Sequence, residues 1–571
     1  MRLPWSSALS LMPRDYKLAA MFLLMLILAI VPSTQPSSDL WATNALNNVF
    51  RDTPAPAARG PVSWSAARGQ LADAQIVLRS DTPLVVRGVK CSVLKQANGQ
   101  AITSQSFDWH FIEYQLVKRN SSKTPPEELL RRAPADFPDA FSEAREIELK
   151  PGQNQPIWLQ LRVPETAAAG EYDGEITVST KGALLRVPAK LRVYDFKLPE
   201  PRLWVTVWFD GAVLAKHQKV EFGTEPYWAL LDRTAKMMHE HHQNVILTPW
   251  SIIGAQRDAK GALEMNYSTF DRWVEIFLRN GFKEIEIGHV GSREHGQWDD
   301  KNFVAVTMNC LNAGKTEQVQ IEEWLPKLEA HLREKHWLEM TLLHVADEPT
   351  GVNVASWREL SRRVHKAAPS LRRIDAIQTP DINGDLEVMV PALDCLQRWE
   401  PQYDAMQKKG SELWYYTAWV PQEHYPNRMM DYPLLKTRML HWINYTTGAT
   451  GYLHWGLNQW DVPFDTFAPG DNWIIWPGKD MPRSSIRYEA MRAGIEDYEY
   501  LELLEDSSTA AAKRLGMKDF DARAYAMHYA QRVAKSIQGF TRDPQVLLET
   551  RDAIARAIEK MRHGEAPPPL K

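Results

Sequence analysis

Asp347 and Glu348 are adjacent carboxylates followed by Pro349, and they close an apolar, strand-like stretch from Leu338 to Ala346. Paired carboxylates are the working parts of glycosidic-bond hydrolysis. A neighbouring Asp raises the affinity of a Glu for its proton, so one of the two can stay an acid near neutral pH while the other stays charged. The same residues also suit a helix N-cap, because an acid ahead of Pro in a first helical turn is common. Taken alone, the tripeptide favours the cap, and the choice turns on the elements around it.

The chain has 571 residues, enough for roughly two to four domains. From about Leu40 to Pro199, short alternating runs (72–78, 83–87, 156–163, 174–178 and 184–193) are separated by turn residues, the pattern of an all-β sandwich. Ser121 to Pro138 reads as a long loop of that domain, and Lys197 to Arg202, rich in proline, as a linker. Strand-like runs then alternate with amphipathic helices. The predicted strands are 204–209, 245–249, 284–290, 338–346, 373–377, 392–396, 413–418 and 451–454, and the third is followed by a long insertion. Eight such strands over roughly 250 residues predict a (β/α)8 TIM-like barrel. From Ile486 onward the pattern is helical. The expected divisions are an N-terminal segment 1–38, a β-sandwich 39–200, a barrel 201–500 and a helical extension 501–571. In such a barrel the acid pair lies at the catalytic face, after the fourth strand.

A net charge of −4 gives no electrostatic case for nucleic acid. The 22 Trp outnumber both the 18 Tyr and the 17 Phe, a surplus that suits a cleft stacking against sugar rings. Arg14 and Lys17 precede an apolar run of 14 residues, Leu18 to Val31. That is short of the ~20 residues a bilayer span needs and fits a secretory signal. The expectation is an exported protein, cleaved near residues 34 to 43, with an uncleaved membrane anchor as the alternative. Three scattered cysteines make neither a disulfide framework nor a metal site. His239-Glu-His-His242 lacks the spacing that places two ligands on one helical face. No signal for a metal, nucleotide, flavin or oligomeric state appears.

Three stretches together resemble the catalytic module of glycoside hydrolase family 123, known for exo-acting β-N-acetylgalactosaminidases. They are Asp347-Glu348-Pro349, then Trp414 to Pro421 with His424 to Asn427, and, most specific, Gly451 to Trp460 through Trp476-Pro-Gly478 to Ser485–Leu501. The resemblance implies that the substrate's own 2-acetamido oxygen is the nucleophile, the stated exception to the two-carboxylate pattern. Glu348 would then be the acid and base, and Asp347 would orient the acetamido group. No cofactor is required. The partner is a glycan with a 2-acetamido sugar at its non-reducing end. Consistent with this, the predicted seventh strand ends in Thr417, Ala418 and Trp419 without an acid, and Glu412 stands at its other end. Asp461 is the best alternative second carboxylate.

Further substrate contacts are expected from other strand ends: Trp208 and Asp210 on the first, Trp250 after the second, His289 on the third and His344 before the acid pair. Tyr415 and Trp419 belong to the seventh, and Trp455, Asn458 and Trp460 follow the eighth. Each aromatic alone serves equally well as core, but as a group at one face they favour a carbohydrate cleft. Two competing readings share these residues: hydrolysis of another 2-acetamido glycan such as a β-N-acetylglucosaminide, and a non-catalytic glycan-binding surface protein.

Overall fold

The computed structural model describes residues 38–382 and 384–570. The expected export segment therefore lies outside the described residues. Among those described, no helix is long and apolar enough to cross a membrane.

The N-terminal region is two sheets sharing one apolar core. One is antiparallel and runs in the order Ser38–Thr43, Leu71–Ser80, Asn154–Arg162, Phe107–Val117, Ala135–Phe141. The other runs Val62–Arg68, Leu184–Lys197, Gly170–Thr180, Leu84–Cys91, Ile147–Leu149, its first pair parallel. In Leu184–Lys197 the residues Val187, Ala189, Leu191 and Val193 point inward while Arg186, Lys190 and Arg192 alternate outward. That period of two is what made the strand legible. The segment expected as a loop up to Pro138 ends earlier, because Ala135–Phe141 pairs with Phe107–Val117.

Eight parallel strands form a nearly closed barrel: β1 (Trp204–Val207), β2 (Val245–Thr248), β3 (Glu284–Ile287), β4 (Thr341–His344), β5 (Arg372–Ile377), β6 (Val388–Pro391), β7 (Glu412–Tyr416) and β8 (Gly451–His454). No backbone ladder joins β1 to β2. Instead Asn244 accepts from the Val205 N–H (2.8 Å) and donates to the Leu203 carbonyl (2.9 Å), stitching that seam with a side chain. The barrel interior is filled by Leu342, Ile374, Ala376, Val388, Val390, Trp414, Tyr416 and Leu453. Gly451 lets Trp414 fill the centre, since a Cβ there would meet the indole at 2.2 Å.

Three expectations are corrected. The sixth strand is Val388–Pro391, and the predicted segment 392–396 lies mostly in the helix Leu393–Arg398, whose Leu393 and Leu396 face the core at helical spacing. The fourth strand starts at Thr341, after a 3-10 turn at Leu338–Met340. Between β5 and β6 the described residues form no helix. Asp385 pins that connection to the preceding helix Val354–Ala367, accepting from Arg358 and Arg362. The insertions expected after β3 and also those after β2 build a four-stranded sheet, and Gly291–Arg293 with Phe303–Ala305 forms a hairpin.

After β8, the 30-residue helix Ile486–Leu515 runs unbroken through residue 500. Its buried ions reach three ways: Arg492 to Asp73 of the N-terminal sheets, Glu489 to His241 of the barrel, and Asp497 to both Arg438 and the C-terminal Arg551. Breaking one member of such a buried set leaves an uncompensated charge, so the barrel and its flanking regions are mutually braced.

Candidate active site

A cleft of about 640 Å³ opens at the C-terminal ends of the strands, lined among others by Trp208, Asp347, Glu348, Gln378, Tyr416, Trp419 and Trp455. This is the face where barrel loops converge and where catalytic residues collect.

Neighbouring side chains on a regular strand point to opposite faces, so Asp347 and Glu348 can both enter one cleft only if the backbone turns. It does: Glu348 has φ of +51°, in the left-handed region. A residue before Pro prefers extended backbone, and a non-glycine residue at positive φ is strained by about 1–3 kcal/mol. The turn is held from several sides. The Glu348 N–H donates to the Ala376 carbonyl (3.1 Å), and the Gln378 N–H donates to the Pro349 carbonyl (3.0 Å). Arg293 donates to the Asp347 and Glu348 carbonyls at 2.9 and 3.0 Å. Asp375 accepts from the Ala346 N–H and the Trp357 indole, both at 2.8 Å.

The Glu348 carboxyl receives the Tyr416 hydroxyl and the Gln378 amide (3.2 Å), which also donates to the Tyr416 oxygen (3.1 Å). Burial in the cleft pushes its pKa up to about 7, and the charge of Asp347 adds to the rise against the lowering pull of those two donors. Glu348 is therefore part acid at neutral pH. Asp347 leaves 53% of its side chain open to the cleft. Crowding by the walls nonetheless raises its pKa, opposed by the charges of Arg293 and His344.

Below the cleft lies an ionic floor. His344 faces Glu286 through Nε2 and Asp375 through Nδ1 (3.1 Å). Burial disfavours its charge, but the two carboxylates prevail and lift its pKa to about 9. Glu286 also accepts from the Trp208 indole (3.0 Å) and the Thr206 hydroxyl (2.6 Å). Burial works against its charge too, yet His344 and these donors hold its pKa below the ordinary carboxylate range. His289 stays neutral, its pKa pushed to about 4 by burial and by the charge of His344. Its Nε2 lies 3.9 Å from Asp347 and 3.7 Å from Asp375 and is buried without a hydrogen-bond partner. His289, His344 and Asp375 hold ligand-type atoms within 4.8 Å of one another. Both nitrogens of His344 face carboxylates, so both carry hydrogens and neither offers a lone pair to a metal.

Of the twelve residues expected at the site, Asp347, Glu348, Trp208, Trp419 and Trp455 line the cleft, His289 borders Asp347, and His344 is buried in the floor. The other five stand elsewhere. Tyr415 faces out of the barrel and donates to the Leu440 carbonyl; the inward residue is Tyr416. Asp210 caps the helix Gly211–His217, and Asn458 latches onto its backbone N–H and carbonyl at 2.8 and 2.9 Å. Trp250 donates to the His289 carbonyl and stacks on Trp324, and Trp460 donates to the Ile475 carbonyl. Asp461, the alternative carboxylate, pairs with Lys216 and His217 and does not line the cleft. Gln378, Tyr416, Trp298, Phe467 and Lys123 are lining residues that went unforeseen. None of these carried a local signal: even on β7, Leu413 to Tyr416 are all buried, so no alternation singles out Tyr416.

The family model described as the glycoside hydrolase 123 catalytic domain matches residues 208–504, and that of the glycoside hydrolase 123 N-terminal domain matches residues 50–180. Among solved structures, a family 123 glycoside hydrolase from Clostridium perfringens, studied for glycolipid glycan hydrolysis, is similar with a TM-score of 0.72 and 15% identity. The alignment covers 92% of this chain and 99% of that one. A family 5 glycoside hydrolase from Bacteroides vulgatus aligns over 53% of this chain and 68% of its own at 11% identity, with a TM-score of 0.31, too low to bear on the fold. No curated protein matches the sequence.

Proposed function

Because this chain belongs to glycoside hydrolase family 123, we propose that it removes terminal β-linked N-acetylgalactosamine as an exo-acting, retaining enzyme whose nucleophile is the substrate's own 2-acetamido oxygen. One observation carries the reading. Among the described residues lining the cleft, the carboxylates are Asp347 and Glu348 alone, neighbours on one turn of backbone. A retaining enzyme with its own nucleophile needs a second carboxylate on the opposite side of the scissile bond, and adjacent residues on one wall do not supply it.

In this mechanism Glu348, protonated near neutral pH, gives its proton to the glycosidic oxygen as the C1–O bond breaks. The acetamido carbonyl oxygen bonds to C1 from the other face. Asp347, ionised, accepts the acetamido N–H, aiming the carbonyl and balancing the positive charge of the oxazolinium. Water then attacks C1, Glu348 takes its proton, and the ring opens. Two inversions at C1 give net retention. Trp208 and Trp455 offer ring faces to the sugar and the acetamido methyl. We propose export as well, a reading supported by the apolar run Leu18 to Val31 behind Arg14 and Lys17.

The test is release of 4-nitrophenol from the β-N-acetylgalactosaminide, β-N-acetylglucosaminide, β-galactoside and α-N-acetylgalactosaminide by wild type and Glu348→Gln. Hydrolysis restricted to β-acetamido sugars and lost in the variant supports the reading, and the ratio of the two epimers fixes the sugar. Equal cleavage of the β-galactoside refutes substrate assistance.

A further inference from the structure

The cleft has a rim that cleavage of a terminal sugar does not account for. Trp298, Trp419 and Phe467 expose 53%, 39% and 47% of their surfaces while lining it. Large aromatics left this open around one cleft mark a binding surface. They come from three separate connections: the hairpin after β3, the segment after β7 and the long segment after β8. Each is held in place. The Arg293 guanidinium packs 4.3 Å from the Trp298 ring, and Phe467 meets Trp455 edge-on at 5.7 Å.

The fourth contributor comes from the N-terminal sheets. Lys123 reaches the cleft from the loop after Phe107–Val117 and sets its Nζ 5.5 Å from the Trp419 ring centre. Its loop is fastened to the barrel: the Lys123 N–H donates to Gln422 (2.7 Å), and the Ser121 N–H and hydroxyl donate to the buried Asp431 at 2.7 and 2.9 Å. Glu128, an acid of the same loop, is taken by Lys436, His424 and Arg542. Among the described residues lining the cleft, Lys123 is the one cation, and its ammonium rests against Trp419 rather than in an ion pair.

We infer that this rim is the aglycone subsite and that Lys123 selects leaving-group sugars carrying a fixed negative charge, a carboxylate or a sulfate ester. The inference rests on the glycosidase reading of Glu348 and extends it to the far side of the scissile bond. An aromatic platform accepts the apolar face of the second sugar. An ammonium at its edge, resting on Trp419, answers an anionic substituent on that sugar. The N-terminal region thereby enters the specificity of the barrel rather than merely bracing it.

The experiment compares kcat/KM for three β-N-acetylgalactosaminides whose aglycone is an uncharged sugar, a carboxylate-bearing sugar or a sulfated sugar, using wild type, Lys123→Gln and Lys123→Arg. Wild type should prefer the charged aglycones, and whichever anion is preferred identifies the source. Lys123→Gln should lower the charged-to-uncharged ratio about fivefold, the reach of one partly exposed ion pair, and Lys123→Arg should keep it. The preference should also fade as ionic strength rises. A ratio that is the same in all three proteins, or indifferent to salt, overturns the subsite while leaving the glycosidase reading intact. Absence of hydrolysis of all three and of the aryl glycosides overturns both.

Discussion

Removing one hydroxyl should move the pH range in which this enzyme works. The Tyr416 O–H donates to Glu348, a bond that exists at full strength only when the carboxyl is ionised, so it lowers the pKa that burial has raised to about 7. Tyr416→Phe removes that support for the charged form, and the pKa must go up. A hydrogen bond to a charged group is worth about 1.5–3 kcal/mol net, which is about one to two pKa units. Gln378 stays at 3.2 Å and water can enter, which puts the expected rise at the lower end, about one unit. The reading is the alkaline limb of kcat/KM for a β-acetamido glycoside with an alkyl leaving group, which needs the acid. Wild type should lose activity as pH climbs through about 7, and the variant about one unit later. The control is one residue away: Tyr415→Phe should lose about 1 kcal/mol of stability with its buried hydrogen bond and leave the limb unmoved. An unmoved or lowered limb in Tyr416→Phe refutes the assignment of Glu348 as an acid tuned by Tyr416.

Three further outcomes follow from the same geometry. Glu348→Gln should stabilise the protein at pH 8 more than at pH 5. A carboxyl raised from 4.5 to about 7 on folding keeps a proton that the unfolded chain releases, so the wild type loses stability as pH climbs from 4.5 through about 7; the gain should be about 2 kcal/mol once water access to the cleft is allowed for, and equal thermal midpoints at both pH values would argue against it. Arg293→Ala frees the Asp347 and Glu348 carbonyls and lets the strained turn relax, so kcat should fall by about tenfold to a hundredfold with little change in melting temperature; unchanged kcat would mean the turn holds itself. Asn244→Ala strips the β1–β2 seam of two buried hydrogen bonds and should cost about 2–4 kcal/mol in urea unfolding, whereas a loss below about 1 kcal/mol would show the seam to be held by packing.

The acid pair was legible only through its setting: the two acids and the proline alone suit a helix cap, but they close the fourth of eight strand-like runs that alternate with helices. The parity of β7 was not. Leu413 to Tyr416 are all buried, so no polar alternation marks which side faces the barrel interior, and Tyr415 and Tyr416 are indistinguishable in the sequence. The same buried character blurred β6, where Val388–Pro391 and the adjoining Leu393-Asp-Cys-Leu are both short apolar runs. Asp210, Asn458 and Trp460 do follow strand ends, but they spend their polar atoms on backbone groups of the connections: Asp210 and Trp460 within their own, Asn458 on Asp210. Lys123, Trp298 and Phe467 meet only through three-dimensional folding of connections far apart in the chain, and no local period announces such a meeting. The left-handed Glu348 contradicts the preference of a residue before proline, and only the partners that clamp it explain it.

The most direct test of the central claim alters the proposed nucleophile itself. The rate kcat/KM is measured for one aryl β-N-acetylgalactosaminide and its N-monofluoroacetyl, N-difluoroacetyl and N-trifluoroacetyl counterparts. Each fluorine withdraws electrons from the acetamido carbonyl oxygen, so the rate should fall steeply and steadily along the series. A flat series would mean that the carbonyl does not attack C1, and would contradict the account.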